Sequence, residues 1–458
     1  MKKKIFAAII MTAVPALFCA CADSGSTRNV GAEVKAMQRE EEGGSTGNGN
    51  IAAVAPDREG RDNMAADTGN KPVINLTENN NNGVCIDYAI KDYASLQEFC
   101  YALFAENTDE ENPVLSPVSA YLALSMAGMG ADGNTYEEFR EVLGEEIEVF
   151  ADNMMNTLPA DTQDMTLAIA NSAWIDSQFA VNDDWLGRVK SFLDAEAFQS
   201  DISSTETMNN INNWVEKNTN GLIPEMLEEP LDTAACLALF NTVYFKAKWS
   251  TPFASYETHA ESFKLADGSI IETDMMNLYE KKLQYIANDF SEGIVLPYMD
   301  SNLSFVALKP TGQDTARELY GMLTIEVIHE LNANMKTTTV NLKIPKFEIT
   351  FDRILNDSLQ QMGLQDAFDG TAANFDRLGQ ADNNIYIDLV RQKAKIIVDE
   401  EGTEAAAATE VAIRAMGLIL PEEEPKNVYF DEPFLYIIMD MEKEIPLFIG
   451  IIDNPTVK

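Results

Sequence analysis

VDEEGTEAAAATEVAIRAMGLIL, residues 398–420, is the stretch on which the interpretation of this chain depends. Its four consecutive alanines, Ala405–Ala408, lie between glutamates and favour a helix by composition. With a period of two, however, the residues from Thr403 to Ile413 form one face with small side chains first and bulkier ones last. That alternation is typical of a half-buried strand. A segment that tolerates helix but fits a sheet predicts two alternative conformations.

The chain around this stretch has the pattern of one large α+β domain. Apolar residues recur at helical spacing in residues 93–106 and 116–130. Residues 234–249 are a long apolar strand candidate, and residues 385–398 are β-branched with runs of alternation, as strands are. Two apolar runs around a polar turn close the chain. There is no internal repeat, so we predict a single domain over residues 88–458.

The N-terminus has the pattern of an export signal. Three lysines precede an apolar run at residues 5–18, which is too short for a comfortable transmembrane helix. The following FCAC resembles a lipoprotein box and predicts a signal peptide over residues 1–21, with lipidation of Cys21. Alternatively, Ala20-Cys21-Ala22 is a site for ordinary secretion. We therefore expect an outer-membrane or cell-surface lipoprotein, or otherwise an extracellular or periplasmic protein.

Residues 22–87 contain few apolar residues and many Gly, Asn, Asp and Glu, including the run ENNNNG. Such a composition predicts a disordered tether, because it cannot bury enough apolar surface to offset the entropy of folding. A flexible coil of this length spans on the order of 45 Å.

The net charge of −41 argues against nucleic acid and against an anionic membrane as partners. The membrane would be reached only through the lipid anchor. Beyond the leader, the cysteines Cys85, Cys100 and Cys236 are scattered, which gives neither a disulfide framework nor metal-ligand spacing.

No catalytic motif is apparent in the sequence. GMGADG, residues 128–133, follows a predicted helix rather than the strand that a dinucleotide site requires, so it indicates a helix end and turn. The two histidines lie outside any metalloprotease motif, and no nucleophile has a recognisable base. We expect no enzyme, no cofactor and no metal.

Four segments in order carry a resemblance to a known family. EEGTEAAAAT (400–409) resembles the hinge of the serpins, protease inhibitors that trap their targets covalently. Residues 112–144 resemble the early helices of that family, NTVYFKAKW (241–249) one of its strands, and VYFDEPFLYII (428–438) its C-terminal signature. The chain is thus identified as resembling a bacterial inhibitory serpin.

The resemblance implies a fold and a mechanism. The fold is a multidomain-like single domain of three β-sheets and eight or nine helices with an exposed reactive-centre loop, and a monomer is expected. The partner is a serine protease, or alternatively a cysteine protease, which attacks the loop and forms an acyl-enzyme. Residues 403–416 then insert into the main sheet and the trapped protease is distorted.

The resemblance also assigns residues within the loop. In inhibitory members the cut lies about 14 residues after the hinge glycine, which gives the bond Met416–Gly417. Because the segment after Met416 is longer than is common in the family, Arg414, Leu418 and Leu420 remain alternatives. Gly402 is expected to allow the hinge to bend. The hinge comprises Glu400, Glu401, Gly402, Thr403, Glu404, Ala405, Ala406, Ala407, Ala408 and Thr409.

A second group matches family positions where the main sheet opens, and its simpler explanation is a set of ordinary core residues. Gln392 stands where many members have histidine, and Ala247 replaces a usual glycine. A non-inhibitory serpin that acts as a binding or carrier module is the alternative function. The sheet-opening group is Ser116, Ser119, Asn241, Trp249 and Gln392.

Overall fold

The computed structural model describes residues 73–77, 90, 92–233, 235–380, 384–403 and 424–457. The predicted signal peptide with Cys21 lies outside the described residues, as does most of the predicted tether. None of the helices within the described ranges is long and apolar enough to cross a membrane.

Nine α-helices lie within the described residues, and the first two occupy the segments 93–106 and 116–130 that were predicted to be helical. The second is buried along its whole length and begins at Pro117, a residue suited to a first helical position. The third ends before Gly144, whose φ of 92° suits a helix terminus. The helices are α1 (Ala94–Ala105), α2 (Pro117–Gly130), α3 (Gly133–Leu143), α4 (Ile147–Thr157), α5 (Asp183–Leu193), α6 (Thr205–Asn218), α7 (Ala316–Met322), α8 (Ile325–Ala333) and α9 (Asn356–Met362).

The strands of the described residues form three sheets. In chain order they are β1 (Ile74–Asn75), β2 (Val114–Leu115), β3 (Ala160–Asp161), β4 (Met165–Asp176), β5 (Ala180–Val181), β6 (Glu196–Ser200), β7 (Leu237–Lys248), β8 (His259–Lys264), β9 (Ile270–Ala287), β10 (Ser291–Pro297), β11 (Leu303–Pro310), β12 (Lys336–Pro345), β13 (Phe347–Ile354), β14 (Gly379–Gln380), β15 (Ile387–Val398), β16 (Gly402–Thr403), β17 (Lys426–Tyr429), β18 (Phe434–Asp440) and β19 (Ile445–Ile452).

The main sheet has the order β1-β6-β4-β7-β16-β15-β13, with β3 paired to β4. The second sheet runs β17-β12-β9-β10-β11-β18-β19-β2, with β8 paired to β9, and β5 pairs with β14 in the third. Three sheets and nine helices within the described residues confirm the α+β architecture that the resemblance implied.

The core follows from the alternation of side chains along the central strands. On β7, Leu237 and Leu239 face the large core, where α2 contacts both β7 and β19. The intervening Ala238 and Phe240 face the opposite side of the sheet and form a smaller apolar cluster with α6. A strand that is buried on both faces has a continuous apolar run, as residues 235–240 do where β7 begins.

The structure corrects the predicted tether in one place. Residues 73–77, within the range 22–87 that was predicted to be disordered, pair with the edge strand β6. The backbone N–H of Leu76 donates to the carbonyl of Ala197 at 2.7 Å, and Thr77 is buried. The prediction was wrong here because the apolar run VINL is short, yet an open sheet edge supplies its hydrogen bonds.

Candidate functional site at the centre of the main sheet

The boundary between β7 and β15, here called the seam, is closed along its lower half. The two strands pair directly and in parallel between Leu237–Asn241 and Ile387–Gln392. Higher up, β16 lies between the same two strands, with Gly402 opposite Lys248 and Thr403 opposite both Ala247 and Val398. Direct pairing leaves no place for a third strand in the lower half. The hinge therefore occupies only the top of the seam among the described residues.

Thr403 is held in the sheet by Tyr298, a residue that was not predicted from the sequence. Its side chain is 1% exposed, and its Oγ1 lies 2.7 Å from the hydroxyl of Tyr298. Burial raises the pKa of Tyr298 well above its usual value, so the phenol stays neutral. The Tyr298 ring stacks on Trp249 with centroids 4.8 Å apart. Thr403, Tyr298 and Trp249 thus form one buried contact at the top of the seam.

The turn that leads from β15 into the hinge is fixed by hydrogen bonds at both ends. The Trp249 indole donates to the Asp399 carbonyl at 2.9 Å, and the Trp249 backbone N–H donates to the Glu401 carbonyl at 2.8 Å. The Asp399 carboxylate accepts the backbone N–H groups of Glu401 and Gly402 at 2.9 and 3.2 Å. Trp249, predicted to belong to the opening of the sheet, therefore holds the hinge turn directly.

Two neighbouring carboxylates of this turn have pKa values shifted in opposite directions. Burial raises the pKa of Asp399, and its hydrogen bonds only partly offset this. Burial would also raise the pKa of Glu400, but the hydrogen bond from the Lys346 ammonium, at 2.7 Å, contributes to a net lowering. Glu400 is thus held ionised by Lys346, a residue with no predicted role.

Gly402 is required for space rather than for a special backbone conformation. A Cβ built on it would overlap the carbonyl oxygen of Ala247 on the facing strand. Its φ lies outside the left-handed region, so the expected bend does not depend on glycine's conformational freedom. Close approach of two backbones is the other common reason for a glycine in a strand.

Four predicted sheet-opening residues meet where the lower half of the seam closes. The Ser119 hydroxyl donates to the Asn241 side-chain carbonyl, and the Asn241 amide donates to Asn171 at 2.6 Å. The Gln392 side chain accepts the Ser116 N–H at 2.9 Å and donates to the Ser116 carbonyl at 2.8 Å. The amide therefore bridges both backbone groups of one residue, and all of these side chains are buried.

Replacing Gln392 with alanine is expected to lower the free energy of unfolding by about 2 kcal/mol or more. The change would leave the buried Ser116 N–H without its partner, whereas the Ser116 carbonyl would keep the backbone N–H of Ala120 at 3.2 Å. Gln361→Ala, at an exposed position on α9, is the matched control and should change stability by about 0.5 kcal/mol or less. Urea unfolding measures both variants. Equal free energies of unfolding for Gln392→Ala and the unchanged chain would show that the bridge from Gln392 to Ser116 contributes nothing to stability.

Several predicted residues lie outside the described residues. These are the hinge residues Glu404, Ala405, Ala406, Ala407, Ala408 and Thr409, together with the cut-site candidates Arg414, Met416, Gly417, Leu418 and Leu420. Glu400 to Thr403 are described, and the burial of Thr403 agrees with its place on the predicted strand face.

A family model and the known relatives of this chain indicate the same protein family. A family model described as "Serpin (serine protease inhibitor)" matches residues 94–455. An uncharacterized serpin-like protein of Thermococcus kodakarensis is 32% identical over 370 residues, which cover 79% of this chain and 85% of that protein.

Solved structures agree with that assignment. The thermophilic serpin tengpin in its native state is 32% identical, with a TM-score of 0.78 over 83% of this chain and 99% of that one. Its latent state gives a TM-score of 0.68 over 80% and 99%. Human thyroxine-binding globulin with thyroxine is 25% identical, with a TM-score of 0.72 over 80% and 98%. On the family match and these relatives, the chain belongs to the serpin family.

Proposed function

We propose that this chain inhibits serine proteases by trapping them after they cut its reactive loop. The observation that carries the proposal is the seam, which is closed in its lower half while Thr403 already lies between β7 and β15 at the top. Strand β16 thus already contains Thr403, the first of the residues 403–416 that would form the inserted strand. The family's members are generally protease inhibitors, which supports this activity.

The register of β16 indicates where an inserted strand would lie. Gly402 and Thr403 run antiparallel to both neighbouring strands. If an inserted strand kept this register without a bulge, Thr409 would lie between Asn241 and Gln392. Because side chains alternate, Thr409 would share the face of Thr403 and meet the polar group at the lower seam. Both pairings lead to the same residue pair, so a threonine at 409 is chemically suited to its destination.

The chemistry of trapping needs only the protease's own catalytic groups. Its serine hydroxyl attacks the carbonyl of Met416, the amine of Gly417 leaves, and Met416 is held as an ester. Released from its C-terminal side, the loop can then enter the seam. Ester hydrolysis competes with insertion, and typical turnover of about 1–10³ per second sets the time available. The small residues Ala405–Ala408 favour fast entry.

A panel of proteases tests this proposal. We expect a complex that survives SDS, and mass spectrometry of the released peptide should give Gly417–Lys458 for a cut at Met416. Chymotrypsin-like, elastase-like or subtilisin-like enzymes suit Met416, Leu418 or Leu420, whereas a trypsin-like enzyme suits Arg414. Cysteine proteases belong in the same panel. Cleavage without any trapped complex, across all classes, would contradict inhibition.

A carrier or binding module is the second candidate. A structurally similar family member binds thyroxine. This chain has a cleft of about 490 Å³ beside the hinge, lined by residues that include Phe347, Ile397 and Asp399. That volume falls within the range of small-molecule sites, but charged groups such as Glu272 and Lys346 contribute to its lining. The effect of loop cleavage on thermal stability separates the two candidates.

We also propose that the chain is exported and anchored through a lipid on Cys21, with ordinary secretion as the alternative. The lysines before the apolar run and the cysteine after it support export. An anchored inhibitor would act on proteases that reach the cell surface.

A further inference from the structure

The short strand β1 is attached to the main sheet by more than its backbone pairing. Ile74 and Asn75 pair with Gln199 and Phe198 on β6. Val73 packs at the edge of the smaller apolar cluster, and Leu76 packs against the large core. Ile74, between them, is 52% exposed. The segment therefore packs on both faces of the sheet edge, with Val73 on the side of the smaller cluster and Leu76 on the side of the large core.

A chain of side-chain hydrogen bonds continues from β1 to the helix α6. The Asn75 amide donates to one carboxylate oxygen of Glu196 at 3.0 Å, and the Trp214 indole donates to the other at 2.6 Å. The Asn75 side-chain carbonyl is occupied by the N–H and hydroxyl of Thr77, at 2.9 and 2.7 Å. Asn75 is thus oriented from both ends, and Glu196 joins it to Trp214 on α6.

Helix α6 lies over the seam and packs against it in the smaller apolar cluster. Trp214 and Ile211 of the helix pack there with Phe240 of β7 and Leu389 of β15. Phe240 and Leu389 stand on opposite sides of the seam, so a strand that enters between β7 and β15 must separate them. Contacts that hold α6 in place therefore oppose the opening of the seam.

We propose that residues 73–77 act as a brace that holds α6 over the seam and slows its opening. The inference rests on the proposed function, because seam opening matters only if the loop inserts. The brace lies between the predicted anchor and the inhibitory domain. Loss of these residues, for example by proteolysis on their C-terminal side, would leave an inhibitor that opens and inactivates faster.

A charge placed on Asn75 tests the brace in the full-length chain. Asn75→Asp sets a second carboxylate beside that of Glu196 and removes the donor that joins them. We expect hydrogen exchange of the β7 and β15 amides to become about tenfold faster, which corresponds to about 1.4 kcal/mol. In the absence of protease, the loss of trapping activity on storage should accelerate by a similar factor.

Two further variants make the result specific. Ile74→Asp adds the same charge one residue away on the exposed side, and it should leave seam exchange unchanged. Adding Glu196→Gln to Asn75→Asp removes the repulsion and should restore slow exchange, which also shows that the double variant folds. Equal exchange in Asn75→Asp and Ile74→Asp would overturn the brace. Hydrogen exchange is measured without a protease. It therefore tests the brace even if the chain is found not to inhibit proteases.

Discussion

Thr403→Arg is expected to abolish trapping while the loop is still cut. Thr403 is 1% exposed, and its hydroxyl contacts Tyr298 inside the sheet. An arginine there would have to bury an unpaired charge, which costs several kcal/mol. Each 1.36 kcal/mol of added barrier slows a step about tenfold. Insertion would then lose its competition with ester hydrolysis, so the protease would be released active and the inhibitor would behave as a substrate.

Thr403→Ser is the matched control for this experiment. Serine keeps the hydroxyl that meets Tyr298 and reduces the volume, so trapping should persist. Gel analysis after mixing with the target protease measures the trapped and the cleaved fractions of each variant. An SDS-stable complex formed by Thr403→Arg in the same yield as the unchanged chain would show that entry at the top of the seam does not limit trapping.

Local patterns in the sequence predicted much of this arrangement. The period-two alternation that begins at Thr403 anticipated a buried face, and Thr403 is buried in the sheet. GMGADG was interpreted as a helix end and turn, and α2 ends at Gly130 while α3 begins at Gly133 with a φ of 55°. Both features are determined by residues that are close together in the sequence, so a local sequence pattern is enough to predict them.

The contacts that hold the hinge could not be predicted in this way. Tyr298 lies 105 residues before Thr403, and Asn171 lies 70 residues before Asn241. Pairing of β4 with β7 brings Asn171 to Asn241, whereas Tyr298, just after β10 of the second sheet, reaches Thr403 only where that sheet lies beside the main one. Neither contact can be predicted from a local pattern. Residues 73–77 were missed for a related reason, because a short apolar run becomes a strand only where an open edge receives it.

Cleavage of the loop is expected to raise the melting temperature on the order of 10 °C. Between the lower pairing and β16, the facing edges of β7 and β15 have no strand between them among the described residues. Continuation of β16 along the seam would add about ten backbone hydrogen bonds, each contributing about 1 kcal/mol. With an unfolding entropy of about 2.1 cal/mol/K per residue, about 10 kcal/mol shifts the melting temperature of a domain this long by roughly 13 °C.

Calorimetry of the chain before and after limited cleavage measures this shift, and Thr403→Arg supplies the control. The arginine variant should be cut at the same bond but gain much less stability, because its hinge resists entry at β16. A rise in the unchanged chain alone links the added stability to strand insertion rather than to loss of a strained loop. An unchanged melting temperature after cleavage would favour the carrier function, since a carrier does not need its loop to become a strand.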